Sequence, residues 1–230
     1  MSGSTWALIP VKPLAQAKTR LAGVLAPAER RALVLHMLDD LLAALDEVAG
    51  LAGIALVSAD PAVAELGAAR GLRVLPEPRP GLNAALRGAL AALAAEGAGR
   101  VLILPADIPL ADGAALRRLL AAAPAAGPAA ALVPAAADGG TNALLLAPPG
   151  LLEPAFGPGS CARFQRAARE SGVTPVLLEL PQLALDIDRP GDLLALESAG
   201  RGATRTRTYL RHIRARDRLG AGPQAARHAS

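Results

Sequence analysis

The stretch "RVLILPADIP", residues 100–109, is the most decisive in the chain. An unbroken apolar run, Val101 to Leu104, is too short for a helix and fits a strand buried on both faces. Pro105 then stops it, and an acid, Asp107, follows at once. Such a strand belongs in a sheet covered by helices, and the sequence on either side supplies them. Upstream, residues 5–10 read as a short strand. Pro27 to Val48 repeats Leu33, Met37, Leu41 and Leu45 at helical spacing. "GIALVSADP" reads as a strand entering a helix, with Asp60 as its N-cap, Pro61 in the first helical position and Gly71 at its end. "LRVLPEP" is a third strand and "NAALRGALAALAAEG" a third helix, while "DGAALRRLLAAA" is helical again after Asp107.

Alternation of strand and helix implies a mostly parallel sheet with helices on both faces. Beyond residue 129 the pattern changes. Two strands joined by a turn at Asp138, Gly139 and Gly140 come first. A helix from Ser160 to Arg169, with Ser160 as its cap, comes next. "TPVLLELP" is a strand, and "LALDIDRPGDLLAL" is a short strand leading to a helix that starts at Pro190. The expectation is therefore an α/β fold, doubly wound in its first half and mixed in its second.

Bulk composition is consistent with one domain. The 230 residues are 52% hydrophobic but only 2% aromatic. The longest uncharged run, residues 119–137, contains Pro124, Pro128 and Pro134 and does not suit a membrane span. No charged segment precedes a long apolar one at the start, which argues against a signal peptide. One cysteine, Cys161, rules out an internal disulfide. A cytoplasmic protein is the expectation. The formal charge of +4 hides an asymmetry, because residues 201–230 carry eight arginines against Asp217 alone. The sequence thus divides into a mildly acidic body, residues 1–200, and a basic, flexible tail, residues 201–230. The acids of the body argue against nucleic acid as its partner. The oligomeric state stays open, a homodimer included.

In open parallel sheets, ligands bind beyond the carboxyl ends of the strands. That rule selects Lys12 after the first strand, the "EPRPGLN" loop after the third, Asp107 after "VLIL", and Asp186 with Asp188 at the end of the last strand. Carboxylates and lysines on one rim suit phosphate chemistry with Mg²⁺, a hard ion that takes carboxylate and phosphate oxygen. In a strand, Asp186 and Asp188 would face the same side. Singly, Asp107 would only cap a turn, and Asp188 only cap the helix at Pro190. The two lysines carry a further signal. Among 24 basic residues only Lys12 and Lys18 are lysine, and Arg20 stands beside them. A compact ammonium follows a phosphate through reaction better than a planar guanidinium. No histidine belongs to a plausible triad. An ionised phosphate oxygen as nucleophile would need no general base.

Five segments, "IPVKPLAQAKTRL", "PADIPL", "DGGTNALLL", "FGPGSCARF" and "LDIDRPGDL", occur in an order that resembles the 2-phospho-L-lactate guanylyltransferase family, which includes phosphoenolpyruvate and 3-phosphoglycerate guanylyltransferases. The resemblance runs from residue 5 to about 198. It implies the Rossmann-like nucleotide-diphospho-sugar transferase fold. It also implies transfer of GMP from GTP to a three-carbon phosphoacid, with release of pyrophosphate, in coenzyme F-420 biosynthesis. By motif it implies Asp107, Asp186 and Asp188 as Mg²⁺ ligands, with Lys12, Lys18 and Asp107 catalytic. It implies nucleotide contacts at Lys12, Arg20, Asn83 and Asp107, and phosphoacid contacts at Thr141, Gly157 and Ser160. Backbone N–H groups at the start of the helix near Ser160 would suit the anion.

Two alternatives stay open from the residues. One is a sugar-phosphate or molybdopterin nucleotidyltransferase of the same fold. Those enzymes place a glycine-rich loop after the first strand, whereas residues 5–22 contain no glycine. The other is a non-enzymatic nucleotide-binding regulator.

Overall fold

The computed structural model of the chain describes residues 4–77, 81–124, 126–199 and 204–220. Among them, seven strands form one sheet: β1 (Ser4–Pro10), β2 (Leu51–Val57), β3 (Arg73–Leu75), β4 (Ala98–Ile103), β5 (Ala129–Pro134), β6 (Thr141–Ala147) and β7 (Val176–Leu177). Their order is β3-β2-β1-β4-β6-β5-β7. β6 runs antiparallel to both its neighbours, and the other pairings are parallel. The α/β sandwich with a mixed second half is as the sequence implies. Because β6 is reversed, its first residue, Thr141, lies at the rim where β1 and β4 end.

Two-residue periodicity explains the two cores. Ala7 and Ile9 face one side of β1, and Leu8 faces the other. Leu102 and Leu104 face the first side beside β4, while Val101 and Ile103 face the second. On the first face lies α1 (Pro27–Asp46), with α2 (Pro61–Ala69) beside the short strand β3. On the second lies α3 (Leu82–Ala95). α4 (Gly113–Ala122) joins the first face, and α5 (Ser160–Glu170) the second, through Phe164 and Ala168. Leu33, Met37, Leu38, Leu41 and Leu42 of α1 are at most 1% exposed. At about 2 kcal/mol for each such side chain, this burial outweighs helix-propensity differences of at most about 0.7 kcal/mol per residue.

The predicted caps at Asp60 and Pro61 are present, with Asp60 Oδ1 accepting from the Ala62 N–H at 3.0 Å. Three expectations are corrected. "TPVLLELP" forms only a two-residue strand, β7. It is followed by the short helix α6 (Pro181–Ala184), so residues 185–188 are extended chain and not a last strand of the sheet. Ser160 is not the cap of α5. Gly159 is, with φ 68°, and the Ser160 hydroxyl is used elsewhere. Asp188 does not cap α7 (Pro190–Ser198) either, because Asp192 Oδ2 accepts from the N–H groups of both Asp188 and Arg189.

The tail differs most. Residues 204–220 are not a loose extension but two helices, α8 (Arg205–His212) and α9 (Ala215–Gly220), with α8 packed on α1. Thr204 caps α8 by accepting from the Arg207 N–H, and Asp40 of α1 supplements the cap from 165 residues away, accepting from the N–H groups of Arg205 and Thr206 and from the Thr206 hydroxyl. Tyr209 stacks on His36 at 4.6 Å between ring centroids. Several of the arginines, most of them exposed, reach partners in the body: Arg207 donates to Leu196 O, and Arg218 to Glu29. Clustered along sequence, these two read as part of a solvated run because their partners lie in α7 and α1. Residues 201–203 and 221–230 of that tail, and residues 78–80 of the "EPRPGLN" loop, fall outside the described residues. Among the described residues, no helix is long and apolar enough to cross a membrane.

Two outcomes follow. Asp40→Ala should lower unfolding stability by about 1–2 kcal/mol, the cost of a lost helix cap, read from urea denaturation. Glu29 is held below its ordinary value, first by its hydrogen bond from Arg218, against burial and with help from the Ala26 N–H. A depressed carboxyl stabilises the fold above its unfolded value, near 4.5, and loses that contribution as pH falls through the folded one. Glu29→Gln should therefore be less stable than wild type at pH 7, and the gap between their urea midpoints should close below about pH 4.

Candidate active site

A cleft of about 410 Å³ opens at the rim where β1 and β4 end and β6 begins. The segment after β1 is fixed before any charge is considered. Leu14, Ala17 and Leu21 are buried in the core and set its path. Ser58 Oγ donates to Val11 O at 2.8 Å, and Asp60 Oδ2 accepts from the Leu14 N–H at 2.7 Å. Lys12 is thereby held at the cleft wall with its side chain exposed. Lys18 adopts the left-handed conformation, φ 53°, which costs a side-chain-bearing residue about 1–2 kcal/mol. What that turn achieves is visible in its amine.

The Lys18 side chain is only 7% exposed, and its Nζ donates to Asp107 Oδ2 and, at 2.7 Å, to Asp188 Oδ1. Burial opposes its charge, but Asp107 and Asp188 more than offset that and hold the amine above its ordinary value. Asp188 shows the reciprocal effect. Burial would push it up, yet Lys18, then Arg20 and Lys12, keep it below the carboxylate range. Arg20 Nη1 reaches Asp188 Oδ2 at 3.2 Å from a largely exposed position. Lys18 is thus bound directly to two of the carboxylates.

Asp107, Asp186 and Asp188 each bring one oxygen within 4.8 Å of the others. Asp186 and Asp188 share a side because Ile187 between them is buried and its N–H donates to Asp107 O at 3.0 Å. That bond, and not strand pairing, brings the two segments together. Burial, then the neighbouring charges of Asp107 and Asp188, pushes Asp186 above its ordinary value, against a hydrogen bond from Asn142. The donor set, three carboxylates, fits a hard divalent cation.

The remaining predicted residues separate. Thr141 and Gly157 line the cleft. Ser160 is fully buried, and its hydroxyl donates to Thr141 Oγ1 at 3.0 Å, so it supports Thr141 from behind. The N–H groups of Gly159, Ser160 and Cys161 donate to Asp138, Gly157 and Gly139 carbonyls, which leaves none of the three for an anion. Asn83 does not line the cleft. Its amide holds the backbone of Phe156 in both directions, at 2.8 and 3.2 Å. Sequence reasoning missed Asn142, whose buried amide donates to Ala184 O at 2.9 Å and Asp186 Oδ1 at 3.2 Å. The available signal was a lone amide inside the apolar run "NALLLA".

Comparison with known proteins decides the family. Residues 5–229 match the family described as "Guanylyl transferase CofC like". The chain belongs to this family. The chain is similar to the phosphoenolpyruvate guanylyltransferase of Rubrobacter xylanophilus, 45% identical over 197 residues, covering 86% of this chain and 95% of that protein. The 3-phospho-D-glycerate guanylyltransferase of Phenylobacterium zucineum is 39% identical over 221 residues, covering 91% and 97%. Among solved structures, a candidate nucleotide-diphospho-sugar transferase from Desulfovibrio desulfuricans G20 superposes with a TM-score of 0.73 at 18% identity, covering 94% of this chain and 96% of that one. A 4-diphosphocytidyl-2C-methyl-D-erythritol synthase gives 0.59 at 17%, covering 86% and 98%. The family match extends through α8 and α9, beyond the point where the sequence motifs end. A member of this guanylyl transferase family, with this fold, is a nucleotidyltransferase.

Lys18→Met removes the buried cation and leaves Asp107 and Asp188 facing each other. With Asp188 42% exposed, solvent screening limits the damage. The expected loss is about 1–2 kcal/mol of unfolding stability in chelator-treated protein, measured by urea denaturation.

Proposed function

We propose that the protein transfers GMP from GTP to a three-carbon phosphoacid, phosphoenolpyruvate in the first instance, with release of pyrophosphate. The observation that carries this is the convergence of Asp107, Asp186 and Asp188 within 4.8 Å at the mouth of a cleft lined by Lys12 and Arg20. The choice of GTP and of phosphoenolpyruvate rests on the names of the relatives at 45% identity. The product would enter coenzyme F-420 biosynthesis, as the family implies.

Asp107, Asp186 and Asp188 would hold a Mg²⁺ ion, which when bound neutralises triphosphate charge and makes the α-phosphorus more electrophilic. The chain's own groups do the rest. An oxygen of the acceptor phosphate, ionised at neutral pH, attacks the α-phosphorus of GTP. The new P–O bond forms as the α–β bridging bond breaks, and pyrophosphate leaves with the electron pair. Lys12 and Arg20, exposed on the cleft wall, meet the negative charge of the triphosphate. Lys18 keeps Asp107 and Asp188 at the spacing that accepts the ion. Catalysis here is positioning and charge neutralisation, so the cleft needs no histidine.

Mass analysis of products formed from Mg-GTP with phosphoenolpyruvate, 3-phosphoglycerate or 2-phospholactate tests the assignment. One acid should yield a guanylylated product with equimolar pyrophosphate. Release of no pyrophosphate with all three would overturn it. Asp107→Asn should keep the wild-type circular dichroism spectrum and lower turnover by at least about 100-fold.

A further inference from the structure

Phe156 and Gly157 of the loop Ala155–Gly159 line the cleft, and besides Asn83 a second side chain outside the cleft holds that loop. Arg163, half-buried on the first turn of α5, donates through Nε and Nη2 to Ala155 O at 3.3 and 2.9 Å. Its Nη1 donates to Pro158 O at 2.7 Å, and Nη2 also reaches Gly157 O at 3.5 Å. Three carbonyls of one loop therefore converge on a single planar fork, an arrangement a lysine cannot reproduce. Among the described residues, no carboxylate pairs with this guanidinium. Its protein partners are carbonyl oxygens, and solvent reaches the rest of it.

This grip has a consequence at the cleft. Asn83, which does not line the cleft, holds the Phe156 carbonyl at 3.2 Å. In a planar trans peptide the following N–H points the opposite way. That N–H belongs to Gly157, which lines the cleft, is exposed, and makes no backbone bond through its own N–H among the described residues. Gly157 has φ 127°, a conformation that side-chain-bearing residues rarely adopt, so the orientation depends on glycine and on the grip behind it. Thr141 lies alongside, held by Ser160, and the two loops are tied where Gly159 and Cys161 donate to the Asp138 and Gly139 carbonyls.

We propose that Arg163 is the positioning residue of the acceptor subsite. It locks Gly157 beside Thr141 as a seat for the phosphoacid and adds a positive charge, paired with no carboxylate among the described residues, behind that seat. The nucleotide is engaged on the other side of the cleft, by the β1 and β4 segments, so the effect of Arg163 is confined to the acid. This proposal rests on the guanylyl-transfer reading above.

The test is steady-state pyrophosphate release by wild type, Arg163→Lys and Arg163→Met, varying Mg-GTP and phosphoenolpyruvate in turn, with melting temperatures alongside. Arg163→Met should raise KM for the acid at least about tenfold while KM for GTP moves less than about twofold. Arg163→Lys, which keeps the charge and loses the fork, should recover part of that loss. If both KM values rise together, or only the melting temperature falls, Arg163 is merely structural and the proposal fails while the guanylyl-transfer reading stands. If wild type releases no pyrophosphate with any phosphoacid, that reading fails and this proposal with it. Should Arg163→Met not fold, Arg163→Lys decides alone. A KM for the acid raised at least about threefold, with KM for GTP unchanged, supports the proposal, and an unchanged acid KM overturns it.

Discussion

One buried ammonium organises the functional end of this molecule. Lys18 Nζ is shared by Asp107, which follows β4, and Asp188, which precedes α7, so a single charge ties together segments up to 170 residues apart. A charge buried to this degree is tolerated only when paired and hydrogen-bonded. Both conditions are met here, and the partners are also groups that phosphate chemistry would use. The strained backbone at Lys18 belongs to the same arrangement. A left-handed turn is retained because it delivers the amine to the carboxylates.

Around this pair the fold assembles two walls of different character. The first is built from the ends of parallel strands, with the segment of Lys12 fixed by Ser58 and Asp60 and with Asp107 just beyond β4. The second is built from loops that hold one another through main-chain carbonyls and a few side chains, among them Asn83, Ser160 and Arg163. The reversed strand β6 joins the two, because it presents its amino end where its neighbours present their carboxyl ends. Asn142, one residue into that strand, then fixes Asp186 from below.

Most of the architecture was legible in the sequence, because burial writes a period into it. The apolar run before Pro105, the helical spacing in α1, and the Asp60–Pro61 cap each translate into structure with little help from tertiary contacts. Asp107 was legible too, since it needed only the rule that sites lie beyond strand ends. What was not legible depended on partners far away in sequence. Asp186 and Asp188 share a side through a hydrogen bond from Ile187 to Asp107, not through the strand that the pattern suggested. Ser160 and Asn83 carry the residue types of cap and ligand, but their polar atoms are committed to Thr141 and Phe156. The arginines after residue 204 look like a solvated run until Glu29, Asp40 and Leu196 are brought beside them.

The docking of α8 on α1 changes what the carboxyl-terminal stretch is. α1 has few exposed positions because the sheet covers one side of it and α8 covers another. Fully buried Thr206 and nearly buried Leu210 close that second side. A recombinant fragment ended at residue 200, a natural place to trim an arginine-rich terminus, would strip this cover, bare the His36 ring and leave Asp40 without its donors. Its poor solubility would then report a missing wall of the domain, not a failure of the catalytic fold.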